Sequence, residues 1–217
     1  MIPIKDNIPN DRFPLVLVAL IVANLVVYVV AVAHGGSLIS GPDAHQMARY
    51  GVTPDAVTVR TAITSLFTQG SIVQLLGNML FLWLFGANVE DSMGAGRFLA
   101  FYVAGGLVAL GLQVALAPHS ATPTAGASGA IAAVIGGYVA LYPRARMLTL
   151  VLIVFLFGVV EIPALVMLAI WLAMQAAFGN GLEVYLAQLG SLVMGAAAIR
   201  LVATRRKATP PTAAAYR

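Results

Sequence analysis

Residues 69–94 read QGSIVQLLGNMLFLWLFGANVEDSMG. The uncharged apolar run inside this stretch is long enough to cross a bilayer, whose hydrocarbon layer takes about 20 residues of helix. Yet the first ten residues of the stretch hold three amides, Gln69, Gln74 and Asn78. Gln74 and Asn78 are four residues apart, which places them on one helix face, a turn from each other. Polar groups inside a membrane are costly, and each is a functional candidate by default. The stretch therefore predicts both a membrane architecture and the place to look for chemistry.

The rest of the chain demands the same solvent. Of its 217 residues, 60% are hydrophobic and 9% charged, with a mean hydropathy of +0.93. Soluble domains run at roughly 45–50% apolar and about 25% charged, so a water-soluble enzyme, a disordered chain and a fibrous protein are excluded. Six stretches qualify as spans: 13–33, 64–88, 97–117, 126–142, 147–178 and 182–204. The expected fold is all-α, a polytopic bundle of six transmembrane helices.

Region 147–178 is long enough to be read as one span or two. Lys and Arg concentrate in cytoplasmic loops, and this decides it. With six spans and the N-terminus inside, ten of the twelve Lys and Arg lie on the cytoplasmic side, leaving Arg49 and Arg60 outside. Seven spans would put only five inside. Residues 147–160 then form a re-entrant or interfacial lead-in, with the fifth span starting near Pro163. Glu161 beside it is expected to cap that helix, where a carboxylate is favoured, rather than to carry protons or substrate. Segment 1–12 is expected to be a cytoplasmic N-terminal segment, 13–204 the membrane domain and 205–217 a basic, disordered cytoplasmic tail. Five of the twelve cations fall in the last eighteen residues, so the net charge of +4 reads as a topology signal and not as a nucleic-acid arm. No signal peptide is expected. There is no cysteine, and His34, His45 and His119 are scattered; no metal or cofactor is expected.

Depth brings the polar residues together. The second, fourth and sixth spans all start at the outer face, so Gln74, Asn78, Ser128 and Gln188 lie in the outer halves of their helices. The fourth span is short, at about 25 Å for 17 residues, which sinks its first turn below the surface. The four side chains can meet in one submerged pocket. Ser128 sits in Gly126-Ala127-Ser128-Gly129 at a helix N-terminus, where free N–H groups and positive potential suit a developing oxyanion. The same glycines also suit a small-residue helix contact, and spacing alone leaves both readings open.

The order of motifs goes further. LLGNMLFLWLFG at 75–86, then Glu90 to Gly94, GASGAI at 126–131, YPRAR at 142–146, and Ala187-Gln188-Leu189-Gly190 with Gly195 together resemble the rhomboid family of intramembrane serine proteases, in the bacterial six-span form. The resemblance implies a Ser–His dyad cutting peptide bonds in transmembrane helices. Ser128 matches the nucleophile. Asn78 matches the oxyanion-hole asparagine, and Gln74 stands at a second oxyanion-hole position. Glu90 and Gly94 resemble a structural Glu-x-x-x-Gly element, Gly126 and Gly129 frame the serine, and Gly195 matches a close-packing glycine. Ser191 stands where another glycine is usual. The resemblance also implies a bacterial plasma membrane location, both termini in the cytoplasm, and transmembrane segments of client proteins and the lipid bilayer as partners.

The departures concern the base. Gln188 occupies the position of the family's histidine, and Gln69 and Gln74 occupy two further histidine positions. A serine hydroxyl must lose its proton to a neighbouring base. Imidazole serves because its pKa lies near neutrality, whereas a carboxamide accepts no proton there. The expectation is a rhomboid-like scaffold with proteolysis lost or severely impaired. The alternative is an active protease with a non-standard base, for which His119, nine residues before Ser128, is the nearest histidine in sequence. A channel or transporter is disfavoured by the absence of internal repeats and of mid-membrane charge.

Overall fold

The computed structural model describes residues 2–8, 10–153, 156–178 and 181–204; the expected tail, 205–217, lies outside them. Strand β1 (Ile2–Asp6) leads to helix α1 (Leu15–His34). A surface segment follows with β2 (Gly36–Ser37), β3 (Gly41–Pro42), α2 (Ala44–Tyr50), a 3-10 turn (Pro54–Ala56) and α3 (Val59–Thr64). Then come α4 (Ile72–Met93), α5 (Ala95–Leu116), α6 (Ser128–Leu141), strands β4 (Arg146–Ile153) and β5 (Leu156–Pro163), α7 (Ala164–Phe178) and α8 (Leu182–Val202).

Helices α1, α4, α5 and α8 are long and apolar enough to cross a membrane, and α6 and α7 are shorter apolar helices. Each of the six overlaps one expected span. Two boundaries move. The second span starts at Ile72 because α3 ends at Thr64 and Ser71 caps α4, accepting from Gln74 N at 3.2 Å. It ends at Gly94, whose φ of +83° suits a residue without Cβ.

Helix α6 is the axis of the bundle. Every residue from Ser128 to Tyr138 is buried, as expected for a helix that is apolar all round. Its small side chains let neighbours come close: a Cβ on Gly195 of α8 would overlap the Ala133 carbonyl, and one on Gly136 would overlap that of Leu192. Such close approach replaces the hydrophobic driving force that lipid removes. Ser191 of α8 fastens the bundle through its side chain. Its hydroxyl reaches the carbonyls of Gly105 (2.9 Å) and Gly129 (2.8 Å), joining α8 to α5 and α6. By contrast α1 turns Val22, Val26, Val29 and Val30 outward, an apolar face that fits lipid.

The expected re-entrant or interfacial lead-in at 147–160 is, in its described residues, a pair of strands. β4 and β5 form an antiparallel hairpin from Arg146↔Pro163 to Ile153↔Leu156, and β1 adds a third strand in the order β1-β4-β5. The composition explains it: Thr149, Val151, Ile153, Phe157, Val159 and Val160 are β-branched or aromatic, and such residues favour strands. Glu161 does not cap α7. It lies in β5 and pairs with Arg146 at 3.6 Å across the hairpin.

Candidate active site

The pocket is built where α4, α5, α6, α7 and α8 converge with the loop before Ser128. Ser128 opens α6, and Ala127 offers no side-chain cap. The first helical bond runs from Ile131 N to Ala127 O at 2.9 Å, which leaves the N–H groups of Ser128, Gly129 and Ala130 without a helical acceptor. The approach to Ser128 is held on both sides. Thr124 pairs with Val52 through two backbone bonds of 2.8 and 2.9 Å, and Gly126 N donates to Ser65 O at 3.0 Å. Gln113 of α5 donates to Thr124 Oγ1 at 2.6 Å. Gly126 has φ +143°, and a Cβ there would stand 2.8 Å from Gln74 Nε2, so the turn needs glycine for both conformation and space. Gly129 faces Ala109, where a Cβ would approach to 2.5 Å.

Across from Ser128, α8 presents Gln188, buried at 3% exposure. Its Nε2 donates to Ser128 Oγ at 2.9 Å and lies 3.4 Å from Gln175 Oε1. A carboxamide nitrogen donates only, so the hydroxyl oxygen is the acceptor here and keeps its own proton. Gln74 spends Oε1 on Gly70 N (2.7 Å), and its Nε2 reaches toward Ala125 O at 3.5 Å. Asn78 Nδ2 donates to Gln69 Oε1 at 2.8 Å. Gln69 Nε2 in turn donates to Asn24 Oδ1 at 2.8 Å, and Asn24 Nδ2 to Leu20 O at 2.8 Å. This relay of amides ties α4 to α1.

Ser128, Gln188, Gln74 and Asn78 line one cavity of about 440 Å³, together with Phe81, Trp171 and Gln175. The structure thus brings together the four residues that sequence reasoning placed at one depth. Among the described residues, no Asp, Glu, His, Lys or Arg lines it. His34, His45 and His119 are all exposed, and among the described residues no group of His, Cys, Asp and Glu is disposed to hold a metal. Sequence reasoning missed Asn24 and Gln175. Asn24 is the one carboxamide in α1, and the cost of a polar group in a membrane was the signal that marks it.

Glu90 and Gly94 lie away from the cavity. Both carboxylate oxygens of Glu90 accept backbone N–H groups at the start of α1, Val16 at 3.0 Å and Leu17 at 2.7 Å. Gly94 N closes α4 on Glu90 O at 2.7 Å. Gly195 sits in the α6–α8 contact.

Comparison with known proteins covers the same region. A profile of the rhomboid domain matches residues 57–205. Rhomboid protein 1, mitochondrial, of Saccharomyces cerevisiae is 34% identical over 148 residues, 65% of this chain and 41% of that protein. Rhomboid protease GluP of Bacillus subtilis is 39% identical over 84 residues, 38% of this chain and 16% of that protein. Presenilin-associated rhomboid-like protein, mitochondrial, of Rattus norvegicus is 29% identical over 121 residues, 54% of this chain and 32% of that protein. The chain matches these relatives over 16 to 41% of their length. The profile takes in α4, α6 and α8, the three helices that carry Asn78, Ser128 and Gln188, and the chain belongs to the rhomboid family.

Proposed function

We propose that this integral membrane protein keeps the intramembrane serine-protease scaffold of its family but has lost proteolytic turnover, and that it holds transmembrane segments of client proteins without cutting them. In this reading Ser128 stands at the nucleophile position, Gln188 at that of the base, and Asn78 and Gln74 at oxyanion-hole positions. The protein resides in a bacterial plasma membrane with both termini in the cytoplasm.

One observation carries the reading: Gln188 donates to Ser128 Oγ at 2.9 Å, in a cavity that no Asp, Glu, His, Lys or Arg lines among the described residues. Attack on a carbonyl requires the hydroxyl proton to leave, and departure of the amine requires a proton to return. A carboxamide performs neither transfer. What remains is the free N–H groups opening α6 and the Asn78 amide, which stabilise an oxyanion that is never efficiently formed. In serine proteases, loss of one member of the catalytic set costs on the order of 10⁴–10⁶ in rate.

The purified protein in proteoliposomes, given a transmembrane-helix substrate, should show no cleavage above a Ser128→Ala variant. A fluorophosphonate probe should leave Ser128 unlabelled. Ser128-dependent cleavage at ordinary protease rates would overturn the reading, and His119→Ala would then be the first variant to make. A reporter fused at residue 217 should be accessible from the cytoplasm.

A further inference from the structure

At the end of the bundle away from Ser128, four helix ends are tied together. Asp11 N donates to Asp91 Oδ2 at 2.9 Å in the last turn of α4, and the neighbouring Ser92 O accepts from Thr204 N at 2.9 Å, two residues past α8. Helix α5 starts three residues after Ser92. Three arginines stand around this junction: Arg12 next to Asp11, Arg97 in the first turn of α5, and Arg200 in the last turn of α8. Phe101, one turn past Arg97, and Ile199, beside Arg200, both border Gly137 of α6, so packing holds those two cations at one end. All three arginines are exposed, and among the described residues no ion pair joins any of them to a carboxylate. Glu90 and Asp91 are buried and accept backbone N–H groups, which leaves Asp11 as the exposed acid beside three exposed arginines.

The surroundings select the class of partner. Arg97 opposes the positive end of the α5 dipole, and no acidic residue shares its turn, so the helix itself gains nothing from it. Each arginine instead adjoins a large apolar side chain that is also exposed: Phe13 (72%) beside Arg12, Leu99 (43%) two residues past Arg97, and Leu201 (89%) beside Arg200. A nucleic acid or a soluble acidic protein would match the charges and leave those side chains in water. A zwitterionic lipid would cover them but brings its own cation to the phosphate. A phospholipid of net negative charge matches both halves, phosphate against guanidinium and acyl chain against Phe13, Leu99 and Leu201.

We propose that this end of the bundle retains anionic phospholipids, with headgroup phosphates at Arg12, Arg97 and Arg200 and acyl chains over Phe13, Leu99 and Leu201. The surface takes several headgroups side by side, and no single phosphate has to reach all three cations. It lies apart from the cavity, so it does not depend on whether a client there is cut or held. Lipid bound across the junction of α1, α4, α5 and α8 favours the folded chain over the unfolded one.

The test titrates the full chain in neutral detergent with dioleoyl phosphatidylglycerol or dioleoyl phosphatidylcholine and counts retained lipids by native mass spectrometry. A basic residue beside an anionic headgroup contributes about 5-fold in affinity. Three of them predict a preference for phosphatidylglycerol on the order of 100-fold at low salt, shrinking as salt is added. Arg12→Gln, Arg97→Gln and Arg200→Gln should each lower it about 5-fold, whereas Arg49→Gln with Arg60→Gln should leave it unchanged. Phosphatidylglycerol should also raise the unfolding midpoint, and inorganic phosphate at the same concentration should not. Equal retention of the two lipids by the unmodified protein overturns the proposal, whatever the variants do. So does a preference that survives the triple substitution undiminished, or one that falls as far in the Arg49 and Arg60 double variant, where net charge alone would be at work. A midpoint shift from inorganic phosphate as large as that from lipid overturns it too, in favour of a site for free phosphate.

Discussion

Two helix N-termini in this protein are treated in opposite ways. At α1 every early N–H is matched: Leu15 by Phe13 O, Val16 and Leu17 by the Glu90 carboxylate, and Val18 by Pro14 O. At α6 the N–H groups of Ser128, Gly129 and Ala130 have no acceptor among the described hydrogen bonds, no carboxylate of the described residues lines the cavity before them, and that cavity is neutral. The same local dipole, roughly half a positive charge, is neutralised at one end of the bundle and left available at the other. A neutralised terminus builds stability, whereas an open one can act on a ligand but does nothing to hold the fold.

Breaking each terminus should therefore give different kinds of loss. The largest effect belongs to the open one. Gln188→His places an imidazole beside Ser128; on the proposed reading, cleavage of a transmembrane substrate should rise on the order of 10²–10⁴-fold over the unmodified protein. That activity should grow from pH 5 to 8, because only neutral imidazole takes the proton and its ordinary pKa is about 6.5. Glu90→Ala should instead leave the cavity intact and cost about 2–3 kcal/mol, read as a lower unfolding midpoint in detergent, since two charge-assisted bonds, one of them buried, are lost together. Asn24→Ala strands Gln69 Nε2 and should cost about 1–2 kcal/mol by the same measurement. The smallest effect is expected from Ser191→Ala, about 1 kcal/mol, typical of an interhelical hydrogen bond in a membrane.

The contrast also shows what a sequence reveals in a membrane protein. The spans were legible because the solvent enforces apolar length, and Ser128, Asn78, Gln74 and Gln188 were legible because chain direction sets depth. The β4–β5 hairpin was not. A continuous apolar run has no period to distinguish strand from helix, and only the β-branched content of 149–160 hinted at the pairing. Glu161 misled for a related reason. A carboxylate just before a helix reads as a cap until the strand register brings Arg146 within 3.6 Å of it. Gln175 faces Gln188 from another helix, at a distance of 3.4 Å set by packing rather than by spacing along the chain.

The Glu90 carboxylate also bears on the order of events during biogenesis. It caps a helix whose first residues precede it by 73 and 74 positions. A ribosome adding about 5–20 residues per second needs roughly 4 to 15 s to reach it. Until then the Leu17 N–H lacks its final acceptor, so the first helix made is completed only when the last turn of α4 arrives beside it.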